Sequence, residues 1–178
     1  LNLKTAELKP YLINPGNITE WFPDDDGKIR LAKASDGVDE TILYRPDDKT
    51  PFKPIIKNNF INKVQPIAFT GEKNYFYALS NVGRDKSALV VIDAETGKEQ
   101  RGRMAGEKAD VSKVDYSQNK HRIELATCEE AKPRKHFLNK DIEQIYHTLS
   151  GQLHNTEINI VGRDSAEDKF IIFTYTDR

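Results

Sequence analysis

An all-β fold, built from successive units of four short antiparallel strands, is what this sequence of 178 residues predicts. Three observations lead there. A polar turn followed by a short apolar run is written four times: "PDDDGKIRLAKAS" (23–35), "TGEKNYFYALSN" (70–81), "YSQNKHRIELATC" (116–128) and "DSAEDKFIIFTYT" (164–176). Aligned on the start of the apolar run, the copies begin at Ile29, Tyr75, Arg122 and Phe170, so they are spaced by 46, 47 and 48 residues. Between the copies lie further strand-like runs, separated by turns rich in Gly, Asp and Lys.

The first unit reads "ITEWF" (18–22), "KIRLAKAS" (28–35), "ETILYRP" (40–46) and "PFKPIIK" (51–57). Asp24-Asp25-Asp26-Gly27, Asp36-Gly37 and Asp47-Asp48-Lys49 separate its strands. Pro51 and Pro54 suit an outer edge strand, because proline has no N–H to give a sheet ladder. The second unit reads "VQPIAFT" (64–70), "NYFYALSN" (74–81), "SALVVID" (87–93) and "EQRGRMA" (99–105). The third opens with "VSKVDYS" (111–117), "HRIELATCE" (121–129) and "AKPRKHFL" (131–138), and then the two-residue rhythm stops.

Over 139–153 the apolar residues Ile142, Ile145, Tyr146, Leu149 and Leu153 recur at helical spacing on one face. Asn139 suits the N-cap, Asp141 and Glu143 suit the first turn, and Gly151 lies near the end. One amphipathic helix is therefore expected where an outer strand would otherwise stand. The fourth unit supplies "TEINIVG" (156–162) and "KFIIFTYT" (169–176).

Four antiparallel strands per 46–48 residues is the spacing of a β-propeller blade. A lone four-stranded blade has two apolar faces and buries both only between neighbours packed around an axis. "ALVVI" and "FIIF" are continuous apolar runs for that reason, being expected between two blades. The expectation is one partial propeller domain over 1–178, with blades near 11–57, 64–105, 109–153 (including the helix) and an incomplete 155–178, about three and a half blades in all. Closed propellers have about 4–8 blades, so a larger propeller is expected, with an uncovered blade face through which copies self-associate. An antiparallel sandwich with accidental periodicity is the alternative. The chain opens at Leu1, its single methionine is Met104, and "FIIFTYTDR" stops directly after a strand, so both ends read as cut.

The formal net charge is −1, from 27 basic and 28 acidic residues, which argues against a nucleic-acid surface or an anionic membrane as partner. No apolar stretch approaches the ~20 residues of a membrane span. The single cysteine, Cys128, allows no internal disulfide, and the sequence leaves cytoplasm and periplasm equally open.

Chemistry is sparse. No serine sits in G-x-S-x-G, the turn that presents a hydrolase nucleophile, and "GRDS" (162–165) has the wrong spacing. Cys128, His136, His147 and His154, the candidate soft metal ligands, match no zinc spacing. "GRMAGEK" (102–108) lacks the spacing and the Ser/Thr of a phosphate loop, and "PDDDGK" (23–28) lacks the ligand pattern of an EF-hand. Catalytic, cofactor and metal residues are accordingly assigned to none of the positions. Arginines near strand ends, Arg45, Arg84, Arg101, Arg103 and Arg163, reach a propeller rim, where their planar forks suit a substrate carboxylate. Arg45, Arg84 and Arg163 are the candidate rim contacts.

Two stretches, "KVQPIAFTGEKNYFYALSNVGRDKSALVVIDAETGKE" (63–99) and "HFLNKDIEQIYHTLSGQL" with "EINIVGRDSAEDKFIIFTYTDR" (136–153 and 157–178), are similar to the N-terminal propeller of the prolyl oligopeptidase family, in its bacterial acylaminoacyl peptidase and dipeptidyl aminopeptidase branch. The resemblance covers most of the chain. Its strand–"D-x-x-T-G-K"–strand motif is shared with many propellers, TolB-like ones included. It implies a gating, substrate-selecting propeller over a downstream α/β-hydrolase domain that holds the family's Ser, Asp and His. No catalytic residue therefore carries over to this chain, and the parent protein is implied to be a serine peptidase acting on short peptides. The partners implied are that hydrolase domain and a peptide. A non-enzymatic TolB-like scaffold for protein partners is the main rival. A propeller lyase is a lesser one, because the four histidines fall in one quarter of the chain.

Overall fold

The computed structural model describes residues 1–72, 74–100 and 108–176. Among the described residues, twelve strands and one helix make four antiparallel sheets that follow one another in chain order. Sheet one is β1 (Ile18–Pro23), β2 (Ile29–Ser35), β3 (Glu40–Tyr44) and β4 (Lys53–Asn58), each paired with the next. Sheet two is β5 (Val64–Phe69), β6 (Tyr75–Ser80) and β7 (Ala88–Asp93). Sheet three is β8 (Val111–Ser117), β9 (Arg122–Cys128) and β10 (Arg134–Phe137). Helix α1 (Lys140–Gln152) leads into sheet four, β11 (Glu157–Arg163) and β12 (Phe170–Tyr175).

The sequence expectations meet this architecture strand by strand, with informative differences. Of the expected strand 99–105, Glu99 makes an isolated antiparallel bridge with Ile92, and 101–107, with Arg101, Arg103 and most of "GRMAGEK", lie outside the described residues. Pro51 precedes β4, whereas Pro54 sits in it on the sheet edge, opposite Leu43 and beside a register shift that absorbs it. Helix α1 has Asn139 at its N-cap, whose side chain accepts from Asp141 N at 2.9 Å, and Asp141 and Glu143 lie in its first turn. Leu153, expected on the apolar face, is instead the C-cap and stands exposed. No described helix is long and apolar enough to cross a membrane.

The turns are built locally. Asp24 Oδ1 accepts from Asp26 N and Lys28 N at 3.0 and 2.9 Å, and Gly27 takes the positive φ of 76° that closes the hairpin. The "D-x-x-T-G-K" turn repeats the device. Asp93 Oδ1 accepts from Glu95 N and Thr96 N at 2.8 and 3.0 Å. Gly97 has φ +69°, and a Cβ there would lie 2.3 Å from the Ile55 carbonyl oxygen of β4. That glycine is thus required both by its own backbone and by the approach of sheet one.

Packing between the sheets follows the two-residue period of a strand. In β6, Phe76 and Ala78 join a buried cluster with Leu31, Ile42 and Tyr44 of sheet one. Tyr77, between them, joins Val111, Ile123 and Cys128 of sheet three. In β7, Val90 and Ile92 face sheet one and Leu89 faces sheet three. The run "ALVVI" is continuous because both of its faces are covered. Leu125 of sheet three, Ile142 and Tyr146 of α1 and Ile158 and Ile160 of sheet four form a third cluster. The helix therefore packs on sheets three and four together. The homologous strands β6 and β9 stand in different sheets.

The run "FIIF" is covered on one side only. Phe170 and Ile172 meet the third cluster, whereas Val161, Ile171 and Phe173 are 59%, 67% and 54% exposed. The stack is thus open at sheet four.

Candidate functional site

The first strands of successive sheets adjoin one another. Between β1 and β5, Gln65 Nε2 donates to Glu20 Oε2 at 2.9 Å, and Lys33 Nζ donates to Gln65 Oε1 at 3.1 Å while pairing with Glu20. Burial opposes the charge on Lys33, but Glu20 and Glu40 outweigh it and raise its pKa. Between β5 and β8, the Tyr116 hydroxyl donates to the Phe69 carbonyl at 3.0 Å. Burial, and then the neighbouring Asp25 carboxylate, raises the Tyr116 phenol above its ordinary value, so it stays a neutral donor.

The turns that follow these first strands meet on one rim. Gly71 N donates to the His121 carbonyl at 3.1 Å, joining the turns of sheets two and three. His121 Nδ1 lies 2.9 Å from Asp25 Oδ1 of the sheet-one turn, and its backbone holds a left-handed φ of 49°. On the other side, Gln118 N donates to Glu167 Oε1 at 2.9 Å and Asn119 Nδ2 to the Ser165 carbonyl at 2.9 Å, tying the third turn to the fourth. Two cavities flank the third turn. One, of about 640 Å³, lies among the first three turns and includes Asp25, Phe69, Tyr116 and His121 in its lining. The other, of about 690 Å³, is walled by Lys113–Tyr116 of β8 and Ile160–Arg163 of β11.

Behind the second cavity lies the most unusual group of the molecule. The pairing of β8 with β9 steps from Asp115↔Leu125 to Tyr116↔Ile123, which leaves Glu124 as an extra, unpaired residue. Its side chain is 0% exposed. Arg163 Nη1 donates to Glu124 Oε2 at 2.6 Å, Lys120 Nζ donates to Oε1 at 3.1 Å, and Asn139 Nδ2 donates to the same Oε1. Leu138 N and Asn139 N also donate to the Glu124 carbonyl, at 2.9 and 3.2 Å. Burial alone would raise this carboxyl, but the Arg163, Lys120 and Asn139 donors hold it below the ordinary carboxylate range. One bulged glutamate thereby ties the β8–β9 turn, the start of α1 and the end of β11 together. Arg163 Nη2 is buried without a hydrogen-bond partner.

The three candidate arginines are each engaged within the chain. Arg45 is buried, donates from Nε to the Ile29 carbonyl at 2.8 Å and from Nη2 to Asp48 at 2.7 Å, and stacks 4.8 Å from the Phe52 ring. Arg84 Nη2 donates to both Glu99 oxygens, at 2.6 and 2.7 Å. Arg163 is the partner of Glu124 and also lines the larger cavity. They lie on sheets one, two and four and share none of these partners. The signal for Glu124 was present in the sequence, as a lone charge inside the run "IELATC" (123–128). Among the described residues no group of three or more His, Cys, Asp or Glu is placed to hold a metal. No family model, curated protein or solved structure matches this chain.

Proposed function

We propose that this chain is a stretch of β-propeller serving as the non-catalytic, substrate-selecting wall of a serine peptidase of the prolyl oligopeptidase type. The observation that carries the propeller half is the stack itself. Four antiparallel sheets succeed one another in chain order, and hydrogen bonds link the first strands or the turns that follow them. Residues alternate between the neighbour before and the neighbour after, as radial packing requires. The peptidase half rests on the likeness of residues 63–99 and 136–178 to that family's propeller. Catalysis is assigned elsewhere, because acyl transfer needs an activated nucleophile with a base and an oxyanion hole.

A second reading, a TolB-like scaffold that binds protein partners, is favoured by one observation. Arg45, Arg84 and Arg163 are all engaged within the chain, while Val38, Phe60, Ile61 and Val82 are exposed in loops at the other ends of the strands. The experiment that separates the two reads the gene past Arg178 to its stop codon. The full-length protein is then assayed with aminoacyl and acyl-aminoacyl chromogenic peptides and a serine-directed fluorophosphonate. The peptidase reading expects a G-x-S-x-G downstream, cleavage, and labelling of that serine. Without that sequence, or with neither cleavage nor label, the scaffold reading takes its place.

A further inference from the structure

We infer that the cavity between β8 and β11 is a binding groove for an extended peptide segment, held by main-chain pairing to the free edge of β8. β8 ends its sheet, in the order β10-β9-β8, so alternate N–H and C=O groups point away from β9 with no strand to receive them. The main-chain groups of Lys113–Tyr116 on that edge have no hydrogen-bond partner outside the ladder with β9 among the described residues. Those same four residues form one wall of the cavity. Ile160–Arg163 of β11 form the facing wall, in which Ile160 N already donates to the Tyr146 hydroxyl at 3.2 Å. β11 ends its own sheet too, but with Ile160 N already taken it is the β8 edge whose groups, among the described residues, are all free over this span.

Size and composition suit this occupant. A volume of about 690 Å³ falls within the ~300–1,000 Å³ of small-ligand sites. Four paired residues at a rise of roughly 3.3 Å each span about 13 Å, the length of the β8 wall. The facing wall offers Val161, 59% exposed, and Gly162, which has no side chain to obstruct a strand. Of the charged groups that line the cavity, Lys113 pairs with Asp115 at 3.3 Å, and Arg163 pairs through Nη1 with Glu124 behind the wall at 2.6 Å. Affinity thus falls to the main chain, as in other strand-addition sites. Glu124 and Glu167 link the two walls, the first accepting from Arg163 Nη1 and the second from Gln118 N. This inference stands whether or not a hydrolase follows in the gene.

The test titrates the isotopically labelled chain with the neutral pentapeptide acetyl-Ala-Thr-Val-Thr-Ala-amide, and separately with the same peptide N-methylated at alternate residues. The expected result is saturable amide shifts over 112–117 and 160–163, with slowed hydrogen exchange on the β8 edge. N-methylation, which removes donors and leaves side chains in place, should weaken binding at least tenfold. Val161→Arg, at an exposed position, should fill the groove and weaken binding at least tenfold while the melting temperature stays unchanged. Absence of shifts at millimolar peptide, equal binding of the methylated peptide, or shifts confined to the charged turn 164–168 would each overturn the inference.

Discussion

The junction of sheets one and two and the junction of sheets three and four solve the same packing problem by different chemistry. The first rests on a large apolar cluster in which Leu31, Ile42, Phe76, Val90 and Ile92 are buried, with Lys33 bonded to Gln65 and Arg30 to Asn74 beside it. The second has a smaller cluster, a helix in place of an outer strand, and a fully buried Glu124 with Arg163 behind it. Apolar burial is non-directional and proportional to area, so it holds two sheets together while tolerating small shifts. A buried ion pair adds little net stability but penalises every arrangement in which one partner is unmatched. The charged junction thus fixes where α1 begins and where β11 ends, relative to the β8–β9 turn.

The contrast can be broken from either side. Phe76→Ala, in the apolar junction, should cost about 4 kcal/mol in denaturant unfolding, as lost transfer energy plus a residual cavity. Glu124→Leu should cost about 3 kcal/mol, because it strands Arg163 among buried groups. Arg163→Met should cost about 2 kcal/mol, because the buried carboxylate keeps Lys120 and Asn139 but loses the cation on its other oxygen. The double variant Glu124→Leu/Arg163→Met should recover most of either loss, ending within about 1 kcal/mol of the parent. Additive losses in the double variant would mean that the pair is not coupled. Ile145→Asp, on the half-buried side of α1, should cost about 2 kcal/mol, and an unchanged melting temperature would count against its packing on sheets three and four.

Acid should expose the difference more gently. Glu124 is held below its ordinary value in the folded chain, so its contribution is complete above the unfolded value of about 4.3 and is lost as pH falls through the folded one. Unfolding measured at neutral pH and at pH 3 should show a larger acid loss for the parent than for the Glu124→Leu/Arg163→Met variant. The gap should be about 1.4 kcal/mol for each unit of depression that the acid range covers. Equal losses would place the acid sensitivity elsewhere, for instance at Glu20, which Lys33 and Gln65 also hold low against its burial.

Much of this junction chemistry was hidden from the sequence, although the sheets were not. Repeat spacing, turn residues and strand alternation are local signals, and they located the strands of sheets one to four and helix α1. Asn139 was legible as a cap because capping is local, but its second role, donating to Glu124, depends on a residue fifteen positions away. Glu124 itself breaks the apolar pattern of β9, yet only the bulge that turns it toward Arg163 explains why a charge is tolerated there. The arginines show the same limit. Their positions near strand ends follow from the pattern, whereas their engagement with Asp48, Glu99 and Glu124 is set by tertiary neighbours. The cavity between β8 and β11 was invisible for a further reason: its two walls come from different sheets, which only the tertiary fold brings together.

The account rests centrally on the claim that each inner sheet faces a different neighbour on each side. Nuclear Overhauser contacts from the adjacent residues Phe76 and Tyr77 test it most directly. Phe76 should contact Ile42 and Leu31 of sheet one, while Tyr77 should contact Ile123 and the Tyr116 ring, whose centroid lies 6.3 Å away. If both rings instead contact the same sheet, or if Tyr77 contacts sheet one and Phe76 faces solvent, the stacked arrangement is wrong and the groove built on it falls with it.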